Sequence, residues 1–528
     1  MNVGSLLARH ARHRADHTAV VCGAHRLTFR EAAARVNRLA NHLLSLGLQQ
    51  GDAVAVALPN CVELLDAYRA CAQLGLVSVP LSTMLRGAGL VAPLHDSGAK
   101  AVIACAALGG PLAEVRAELG HIPADRWLMV GDSVRDGFTS YDRVVGAASD
   151  AQTPAVSVAD DDVYNIIYSS GTTGAPKGIV HTHYVRALYG ALFASQFRFT
   201  PESVVMHAGS LVFNGAFVTL MPAWFLGCTY VLQEKFDAVE FIETVARERV
   251  THVMMVPSQI VAVLDAPNFS ADKLASLQML SSVGAPWHRE HKARMLEALP
   301  HSLYELYGLT EGFITVLDRT DFNRHIDTVG RPITFSEMKV VDAEGRALPP
   351  GEVGEIVGTS PLMMPGYHGR PDLTAQALRD GWLYTGDLGT IDEQGFLRLV
   401  DRAKDLIITG GVNVYPRDIE EVVARHPAVR EVAVFGVPNA KWGESPVAAV
   451  VARDGADIDP AALRAWVNER VDARFQQIHD VIVLDEFPRS TAGKTLKRVL
   501  RGRFAAAAVA PDITHASAAP ARAASLSS

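Results

Sequence analysis

Helical and strand patterns alternate along the first 400 residues of this 528-residue chain, and this alternation strongly restricts the possible folds. The segment "TFREAAARVNRLANHLLSLG" predicts a helix with Thr28 as N-cap, Glu31 at the capping-box position and an end at Gly47. The strand pattern "DAVAVAL" follows, and then come the helical pattern "CVELLDAYRACAQLG" and the strand pattern "VSVPL". Strands that alternate with helices form parallel sheets covered by those helices, so we expect a large α/β domain over residues 1–400.

The pattern changes after residue 400, where a second and smaller unit begins. The strand "DLIITGG" leads to the helix "PRDIEEVVARHP", in which Pro416 suits the first turn. The strands "EVAVFGV" and "PVAAVVA" are followed by a helix behind Asp459 and by the strand "VIVLDEF". We therefore expect a small α+β domain over residues 405–504. Residues 505–528 lack a core pattern, and we expect them to be disordered.

The composition is that of an ordinary soluble globular protein, with 49% hydrophobic and 20% charged residues. A net charge of −8 argues against a nucleic-acid partner, which calls for a basic surface. The five cysteines are scattered without metal-ligand spacing, which favours free thiols in a reducing compartment. The N-terminus has no apolar signal segment, and the most apolar long stretch, from Val218, is interrupted by Pro222 and Gly227. These features predict a cytoplasmic protein with no transmembrane segment.

The segment "YSSGTTGAPKG" (residues 168–178) follows an apolar strand pattern and is suited to binding an anion. Its glycines let backbone N–H groups turn toward one point, its hydroxyls add donors, and Lys177 adds a compact positive charge. It is not a Walker A loop, because the glycine that should precede the lysine of that pattern is replaced by Pro176. A solvated linker is the alternative, but a linker rarely lies within a dense apolar pattern. The segment therefore predicts a phosphate-binding loop.

Four further motifs carry groups that suit work on a nucleoside phosphate. "PRSTAGKT" presents Lys494 between a strand and a basic helix, and "YGLTEG" places Thr310 beside Glu311, a pair suited to holding magnesium on a phosphate. "YTGDLG" presents Asp387 in a tight turn, where its carboxylate can accept from both ribose hydroxyls. "DRAKDLIITGG" carries Arg402 at the boundary between the two predicted domains.

Together these motifs resemble the adenylate-forming superfamily, which comprises acyl-CoA synthetases, adenylation domains and firefly luciferase. The resemblance covers nearly the whole chain, since the motifs stand in family order: "YSSGTTGAPKG", "SVGAP", "YGLTE", "TVGRP", "YTGDLG", "DRAKDLIITGG" and "PRSTAGK". It implies that the large N-terminal α/β domain includes a small β subdomain. It also implies a hinge over residues 401–404 and a mobile C-terminal α+β domain.

The resemblance further implies two half-reactions that use ATP, Mg²⁺ and CoA. The carboxylate of a fatty or aryl acid attacks the α-phosphorus of ATP, which gives an acyl-adenylate and pyrophosphate. A thiol then attacks the acyl carbonyl, and AMP leaves. A carboxylate is a poor acyl donor until its oxygen becomes a good leaving group, and the first step brings two anions together. Positive charge at the phosphates is therefore expected to accelerate this first step.

The resemblance assigns the catalytic roles to particular residues of this chain. Lys494 bridges the carboxylate and the α-phosphate, Thr310 contacts the α-phosphate, and Glu311 binds magnesium. Asp387 and Arg402 hold the ribose. The remaining implied ATP-site residues are Ser169, Ser170, Gly171, Thr172, Thr173, Gly174 and Lys177 of the phosphate loop, with Gly284, Ala285, Pro286, Glu305, Leu306, Tyr307 and Gly308.

Two groups of residues are implied by the second half-reaction. Lys404 stands at the hinge about which the small domain turns, although a solvated surface lysine is the simpler reading of that residue. The "TGG" loop, formed by Thr409, Gly410 and Gly411, would line the pantetheine tunnel for CoA.

The acyl pocket is expected in the segment "SLVFNGAF" and its surroundings. Amino-acid-activating relatives have a Phe-Asp pair here, but Asn214 follows Phe213 in this chain, and a neutral amide cannot compensate a buried ammonium. Amino-acid substrates are therefore disfavoured. The expected apolar lining is Phe213, Phe217, Val283, Leu309, Phe313 and Val316. Asn214 either reads a hydroxyl or carbonyl on the substrate or is a structural amide, and the choice between aliphatic and aryl acids stays open.

Three functions are compatible with these motifs. We expect an acyl-CoA synthetase, for which the partners are a small carboxylic acid, ATP and CoA, with no nucleic acid and with a homodimer left open. The alternative enzyme is an acyl-AMP ligase that loads a carrier protein. A catalytically inactive nucleotide-binding scaffold is disfavoured, because such a protein would not need Lys177, Glu311, Asp387, Arg402 and Lys494 together.

Overall fold

The computed structural model describes residues 1–131, 134–169, 176–402, 405–409, 412–439, 442–489 and 495–509, the last five of these in backbone only. These residues form two compact units. The larger unit contains residues 1–402, and the smaller contains residues 405–489 and 495–509.

The larger unit alternates strands and helices through most of its length. Its strands are β1 (Thr18–Cys22), β2 (His25–Thr28), β3 (Ala53–Ala57), β4 (Val77–Pro80), β5 (Ala101–Cys105), β6 (Trp127–Val130), β7 (Thr139–Ser140), β8 (Val163–Ser169), β9 (Lys177–Thr182), β10 (Val204–His207), β11 (Thr229–Leu232), β12 (His252–Met255), β13 (Met279–Val283), β14 (Leu303–Gly308), β15 (Ile314–Leu317), β16 (Arg331–Pro332), β17 (Glu337–Val341), β18 (Gly354–Thr359), β19 (Leu378–Arg379), β20 (Trp382–Ile391) and β21 (Leu397–Arg402). Its α-helices are α1 (Leu6–His13), α2 (Phe29–Ser45), α3 (Val62–Leu74), α4 (Ala88–Asp96), α5 (Gly109–Val115), α6 (Tyr141–Ala147), α7 (His183–Gln196), α8 (Asn214–Leu226), α9 (Ala238–Glu248), α10 (Pro257–Leu264), α11 (Ala271–Leu274), α12 (Arg289–Ala298) and α13 (Pro371–Ala377).

Two large sheets form the framework of this unit. One has nine strands in the order β16-β15-β14-β13-β12-β10-β11-β1-β2, and the other has seven in the order β7-β6-β5-β3-β4-β8-β9. The central pairs of both sheets are parallel, and antiparallel pairs occur at their ends, as in β1–β2, β14–β15 and β8–β9. Parallel strands buried on both faces read as continuous apolar runs, which is why "DAVAVAL" gives a strand whose five residues are all buried. The predicted α/β architecture is confirmed.

Helix α2 shows how the local sequence sets an element boundary. The Thr28 hydroxyl accepts from the backbone N–H of Glu31, and the Glu31 carboxylate accepts from the backbone N–H of Thr28 at 2.8 Å, which completes the predicted capping box. The helix ends at Ser45, and Gly47 follows with a φ of +76°, a conformation that glycine adopts without strain. Val36, Leu39 and Leu43 are fully buried on the face that packs into the core.

A separate antiparallel sheet closes the larger unit. It has the order β17-β18-β20-β19, and β21 pairs with β20. The pairing of β20 with β21 places Asp387 opposite Arg402 in the register of the two strands. This sheet is the small β subdomain that the motif order implied.

The smaller unit is a mixed sheet with helices, as the sequence predicted. Its strands are β22 (Ile407–Thr409), β23 (Val412–Val414), β24 (Val429–Asn439), β25 (Gly443–Ala452) and β26 (Asp480–Leu484), and its α-helices are α14 (Pro416–Val423), α15 (Pro460–Asn468) and α16 (Lys497–Val509). Pro416 occupies the first turn of α14, and the Asp459 carboxylate caps α15 by accepting from the backbone N–H of Ala461. No helix among the described residues is both long enough and apolar enough to cross a membrane.

Candidate active site

The predicted phosphate loop connects two strands that pair with each other. Strands β8 and β9 form an antiparallel hairpin, which sets Ser169 opposite Lys177. The loop residues assigned to phosphate binding between them, Ser170, Gly171, Thr172, Thr173 and Gly174, lie outside the described residues. Lys177 is half-buried, and its Nζ lies 5.1 Å from the centroid of the Tyr367 ring.

Tyr367 also contacts the carboxylate that was predicted to bind magnesium. Its hydroxyl donates a hydrogen bond to Glu311 Oε1 at 2.8 Å. Burial, and then the nearby Glu311 carboxylate, raise the pKa of Tyr367 above its ordinary value, so the phenol stays protonated and keeps donating. The Glu311 carbonyl accepts from the backbone N–H of Met364 at 2.8 Å, which fixes the main chain of the same loop. Lys177 and Glu311 are thus linked through one aromatic side chain.

Gly312 explains why the loop after β14 can approach this segment so closely. Its φ is +110°, and a Cβ built at this residue would lie 2.1 Å from the carbonyl oxygen of Leu362. Only glycine can adopt this backbone conformation with the neighbouring chain at that distance. The second glycine of "YGLTEG", Gly312, therefore allows the close packing that brings Glu311 beside Tyr367.

Thr310 is held by a buried histidine from β9. His181 Nε2 donates to the carbonyl oxygen of Thr310 at 2.9 Å, and the His181 side chain is fully buried. Burial, and then the positive charge of Arg186, lower the pKa of His181 well below its ordinary value, so the ring is neutral. This contact ties the strand that begins with Lys177 to the loop that carries Thr310 and Glu311.

Asp387 lies between two side chains that orient its carboxylate. Tyr307 donates from its hydroxyl to Asp387 Oδ2 at 2.9 Å, and Arg402 Nε lies 3.2 Å from Asp387 Oδ1. Burial, followed by the charge of Asp387, raises the pKa of Tyr307 well above its ordinary value, so this phenol also remains a donor. Asp387 is buried whereas the Arg402 side chain is 48% exposed, which leaves the guanidinium open to a ligand. The structure thus brings together Asp387 and Arg402, which were predicted to hold the ribose, and Tyr307, another predicted ATP-site residue.

The other predicted ATP-site residues of the larger unit follow β13 or lie within β14. Gly284, Ala285 and Pro286 are exposed directly after β13, and Gly284 has a φ of +90°. Glu305 lies within β14, and its carboxylate forms a buried ion pair with Lys292, whose Nζ also donates to the Ile326 carbonyl at 2.7 Å.

The Glu305 side chain is buried together with its ion-pair partner Lys292. Leu306 beside it is buried, and Gly308 is half-buried.

The predicted acyl-pocket residues lie in three places. Phe213, Asn214 and Phe217 lie at the start of α8, and Val283 approaches this helix where a Cβ on Gly215 would lie 3.9 Å from its Cγ1. The largest core cluster of the described residues includes or contacts Phe213, Phe217, Val283 and Val316. Leu309 is half-buried in the turn before Gly312. Phe313 packs in another cluster, with Val329, Ile356, Leu383 and Leu397 under the small antiparallel sheet.

Four further predicted site residues lie outside the described residues: Lys494, the hinge residue Lys404, and Gly410 and Gly411 of the predicted CoA tunnel. Thr409 is the last residue of β22 and pairs with Val412 of β23.

Three residues that the sequence reasoning missed contact the predicted site. Tyr367 bridges Lys177 and Glu311, His181 holds Thr310, and the guanidinium of Arg186 donates to Asn214 Oδ1 at 2.9 Å. The sequence contained a feature that could have identified two of these residues. Arg186 is a charged residue within the apolar face of α7, and Tyr367 stands in the turn "PGYHGRP", where an aromatic residue is unusual for a solvated loop.

The residues present fit a magnesium ion that is shared with a phosphate ligand. Glu311 receives a hydrogen bond on only one carboxylate oxygen from the described residues, which leaves the other as an acceptor for a cation. The described residues contain no cluster of three or more potential ligands, so a metal would need ligands from the substrate. Magnesium is commonly held in this way, by one or two carboxylates with substrate phosphates and water.

The chain matches two protein-family models and is similar to several known proteins. Residues 7–368 match the family described as AMP-binding enzyme, and residues 418–494 match the AMP-binding enzyme C-terminal domain. The feruloyl-CoA synthase of an Amycolatopsis species is 36% identical over 510 residues, which cover 95% of this chain and 99% of that protein. The long-chain-fatty-acid–CoA ligase FadD13 of Mycobacterium tuberculosis is 34% identical over 483 residues, 91% of this chain and 94% of that protein. ATP-bound MatB from Rhodopseudomonas palustris has a TM-score of 0.86 at 32% identity, and the match covers 96% of this chain and 99% of that one.

Proposed function

The chain belongs to the AMP-binding enzyme family, and from this premise we propose that it is an AMP-forming acyl-CoA synthetase. It joins a small carboxylic acid to CoA through an acyl-adenylate and consumes ATP. The observation that carries the proposal is the 34–36% identity to CoA-thioester-forming enzymes over more than nine-tenths of the chain. The contacts that link Lys177 to Glu311 through Tyr367, and the hydrogen bond from Tyr307 to Asp387, support it.

In the first half-reaction a carboxylate oxygen of the acid attacks the α-phosphorus of ATP, and the bond to the β-phosphate oxygen breaks. Lys494 neutralises charge between the two anions, and Lys177 serves the β- and γ-phosphates with the loop that precedes it. Thr310 contacts the α-phosphate, positioned by the hydrogen bond from His181 to its carbonyl. Preorganised positive charge lowers the barrier because it is in place before negative charge builds up.

The ribose is proposed to lie at Asp387, whose carboxylate can accept from both hydroxyls. Tyr307 and Arg402 hold that carboxylate in place, at 2.9 Å and 3.2 Å respectively. Glu311 would hold Mg²⁺, which when bound neutralises phosphate charge and helps pyrophosphate to leave.

In the second half-reaction the thiolate of CoA attacks the acyl carbonyl carbon, and AMP leaves with the electron pair of the broken C–O bond. Thr409, with Gly410 and Gly411, is proposed to line the route of the pantetheine arm. The composition supports a cytoplasmic location, where ATP and CoA are available. A carrier protein as the acyl acceptor is the alternative.

The proposal is tested with a panel of fatty, benzoic and cinnamic acids, each incubated with the full-length protein, ATP and Mg²⁺. Pyrophosphate release reports adenylation, and mass spectrometry after CoA addition reports the thioester. We expect both products for at least one acid. Pyrophosphate without acyl-CoA would indicate transfer to a carrier protein, and absence of pyrophosphate with every acid would contradict the proposed reaction.

A further inference from the structure

Helix α7 carries an arginine whose guanidinium is completely enclosed by protein. Arg186 has no exposed surface. Its Nε donates to Asn165 Oδ1 at 3.1 Å, and its Nη2 donates to Asn214 Oδ1 at 2.9 Å. Its Nη1 is buried and has no hydrogen-bond partner among the described residues. An unpartnered donor on a charged group is costly to bury, so its retention calls for an explanation.

The surroundings of this guanidinium are aromatic and amide groups rather than anions. Its Cζ lies 4.2 Å from the centroid of Phe217 and 4.8 Å from that of Tyr189, so cation–π attraction compensates part of the desolvation. Among the residues that the structure describes, the ionisable groups that act most strongly on Arg186 are the phenols of Tyr189, Tyr164 and Tyr68. Burial lowers the pKa of Arg186 to about 10, which still leaves the group positively charged at neutral pH.

Arg186 lies against the residues proposed for the acyl pocket. Asn214 and Phe217 occupy the first turn of α8, and the guanidinium contacts both of them. The Asn214 amide nitrogen in turn lies 3.3 Å from the Tyr189 hydroxyl, which is a long hydrogen bond. The cluster of Arg186, Asn214 and Tyr189 therefore provides N–H and O–H donors in otherwise apolar surroundings.

We propose that Arg186, together with Asn214, forms the polar end of the acyl site and selects acids that carry an acceptor oxygen remote from the reacting carboxylate. The inference rests on the proposed function and names the substrate class within it. A second carboxylate or an aryl hydroxyl has the required chemistry, because either presents an oxygen that can accept from Nη1. A carboxylate would in addition pair with the buried charge.

If the role of Arg186 is purely structural, a different result is expected. Arg186 joins β8 to α8 through Asn165 and Asn214, so its loss would weaken the fold under either interpretation. A structural arginine would affect all acids equally. A specificity-determining arginine changes the ratio of kcat/KM between an acid that has the acceptor oxygen and its parent that lacks it.

The experiment compares two matched pairs of acids, adipate with hexanoate and 4-hydroxybenzoate with benzoate, by pyrophosphate release. The variants are Arg186→Leu, Arg186→Lys and Asn214→Leu. Arg69→Leu is the control, because Arg69 is also buried and has an unpartnered Nη1. It lies on α3, 5.0 Å from the ring of Trp224, which is near the C-terminal end of α8 and so far along that helix from Asn214 and Phe217. We expect the wild type to prefer the acceptor-bearing acid of one pair by at least about tenfold. Arg186→Leu and Asn214→Leu should reduce that ratio to near one, Arg186→Lys should keep part of it, and Arg69→Leu should leave it unchanged.

The two pairs distinguish the source of the oxygen. A preference for adipate assigns the site to a second carboxylate, and a preference for 4-hydroxybenzoate assigns it to a hydroxyl. Unchanged ratios in folded Arg186→Leu would overturn the inference while leaving the proposed function intact, whereas no pyrophosphate from any acid would overturn the proposed function. If Arg186→Leu does not fold, the inference is tested by the kcat/KM ratios of the wild type alone. A wild-type preference for the parent acid in both pairs would overturn the inference.

Discussion

Tyr367 contacts two side chains of opposite charge, one through the face of its ring and the other through its hydroxyl. The Nζ of Lys177 lies 5.1 Å from the ring centroid, where the face of an aromatic ring attracts a cation. The hydroxyl donates to Glu311 Oε1 at 2.8 Å. A hydrogen bond to a carboxylate is stronger than one between neutral groups, so it orients the side chain that receives it. Tyr367 therefore sets the positions of the lysine and the carboxylate proposed to serve the phosphates and Mg²⁺.

Removal of this hydroxyl tests the positioning role. Tyr367→Phe keeps the ring beside Lys177 but releases the Glu311 carboxylate. A hydrogen bond to a charged group contributes about 1.5–3 kcal/mol, so we expect kcat/KM for ATP in the adenylation step to fall by about tenfold or more. The Mg²⁺ concentration that gives half-maximal activity should rise, and this shift is the measurement that a loss of stability alone would not produce.

Tyr141→Phe is a suitable control for that substitution. Tyr141 is buried in the same unit, and its hydroxyl has no hydrogen-bond partner among the described residues. The same chemical change there removes no such bond and should leave the Mg²⁺ dependence as in the wild type. Equal Mg²⁺ dependence in Tyr367→Phe and Tyr141→Phe would show that the contact with Glu311 has no role in metal binding.

At the level of elements, strand β9 links two parts of the site. It begins at Lys177, and four residues later His181 donates from Nε2 to the Thr310 carbonyl at 2.9 Å. His181→Leu would leave that carbonyl without its partner, and we expect the adenylation rate to fall by about tenfold as the loop after β14 shifts. His181→Gln retains a donor and should recover most of the rate.

The pH profile separates this positioning role from acid–base catalysis. Because burial keeps His181 neutral by lowering its pKa well below the ordinary value, the ring does not titrate in the working range. The pH dependence of kcat should therefore be the same in His181→Gln and in the wild type. Loss of an acidic limb in the variant would instead mean that His181 exchanges protons during the reaction.

Elements governed by local signals were predictable from the sequence. The capping box of α2, the proline in the first turn of α14 and the Asp459 cap of α15 each depend on residues within four positions of one another. The strands of the parallel sheets were predictable because burial on both faces gives continuous apolar runs. The family resemblance then supplied the proposed roles of Glu311 and Asp387.

The contacts that hold those residues were not predictable, because they join distant parts of the chain. Tyr367 and Glu311 are 56 residues apart, and His181 and Thr310 are 129 apart. Tyr367 reaches the site through an isolated bridge with Ile179, a register that no local pattern specifies. For the same reason, the sequence did not show whether Asn214 is a structural or a substrate-binding amide, since its partner Arg186 belongs to another helix.

For the whole molecule, the two half-reactions are expected to need different residues. Lys494 is proposed to neutralise charge only while the carboxylate meets the α-phosphate. Lys494→Ala should therefore abolish pyrophosphate release, whereas thioester formation from supplied acyl-adenylate and CoA should stay within about threefold of the wild type. Both steps are measured with the same acid.

Arg498→Ala controls for the loss of a positive charge nearby in the chain. Arg498 is exposed on α16, so its removal should affect neither step. Acetylation of Lys494 removes the charge and should have the effect of the alanine substitution. An equal loss of both half-reactions in Lys494→Ala would contradict the proposed division of roles.

Buried histidines make the stability of the larger unit depend on pH. Burial is the main cause that lowers the pKa of His183, His207 and His252 to about 4 each. An unfolded histidine has a pKa of about 6.5, so below that pH the unfolded chain binds protons that the folded chain does not. The free energy of unfolding should then fall as the pH decreases from about 6.5 toward 4, by up to about 1.4 kcal/mol per pH unit for each of these residues.

Urea unfolding followed by tryptophan fluorescence between pH 7.5 and 4.5 measures this dependence. His252 packs its ring 4.1 Å from that of Phe199, and its Nε2 lies 3.1 Å from the Phe197 carbonyl, so His252→Gln fills a similar volume and retains a donor. We expect this variant to lose about a third of the pH-dependent change assigned to the three histidines. His25→Gln, at an exposed position, should leave the slope unaltered. The same slope in His252→Gln as in the wild type would mean that His252 takes up its proton without unfolding, and that other groups cause the acid sensitivity.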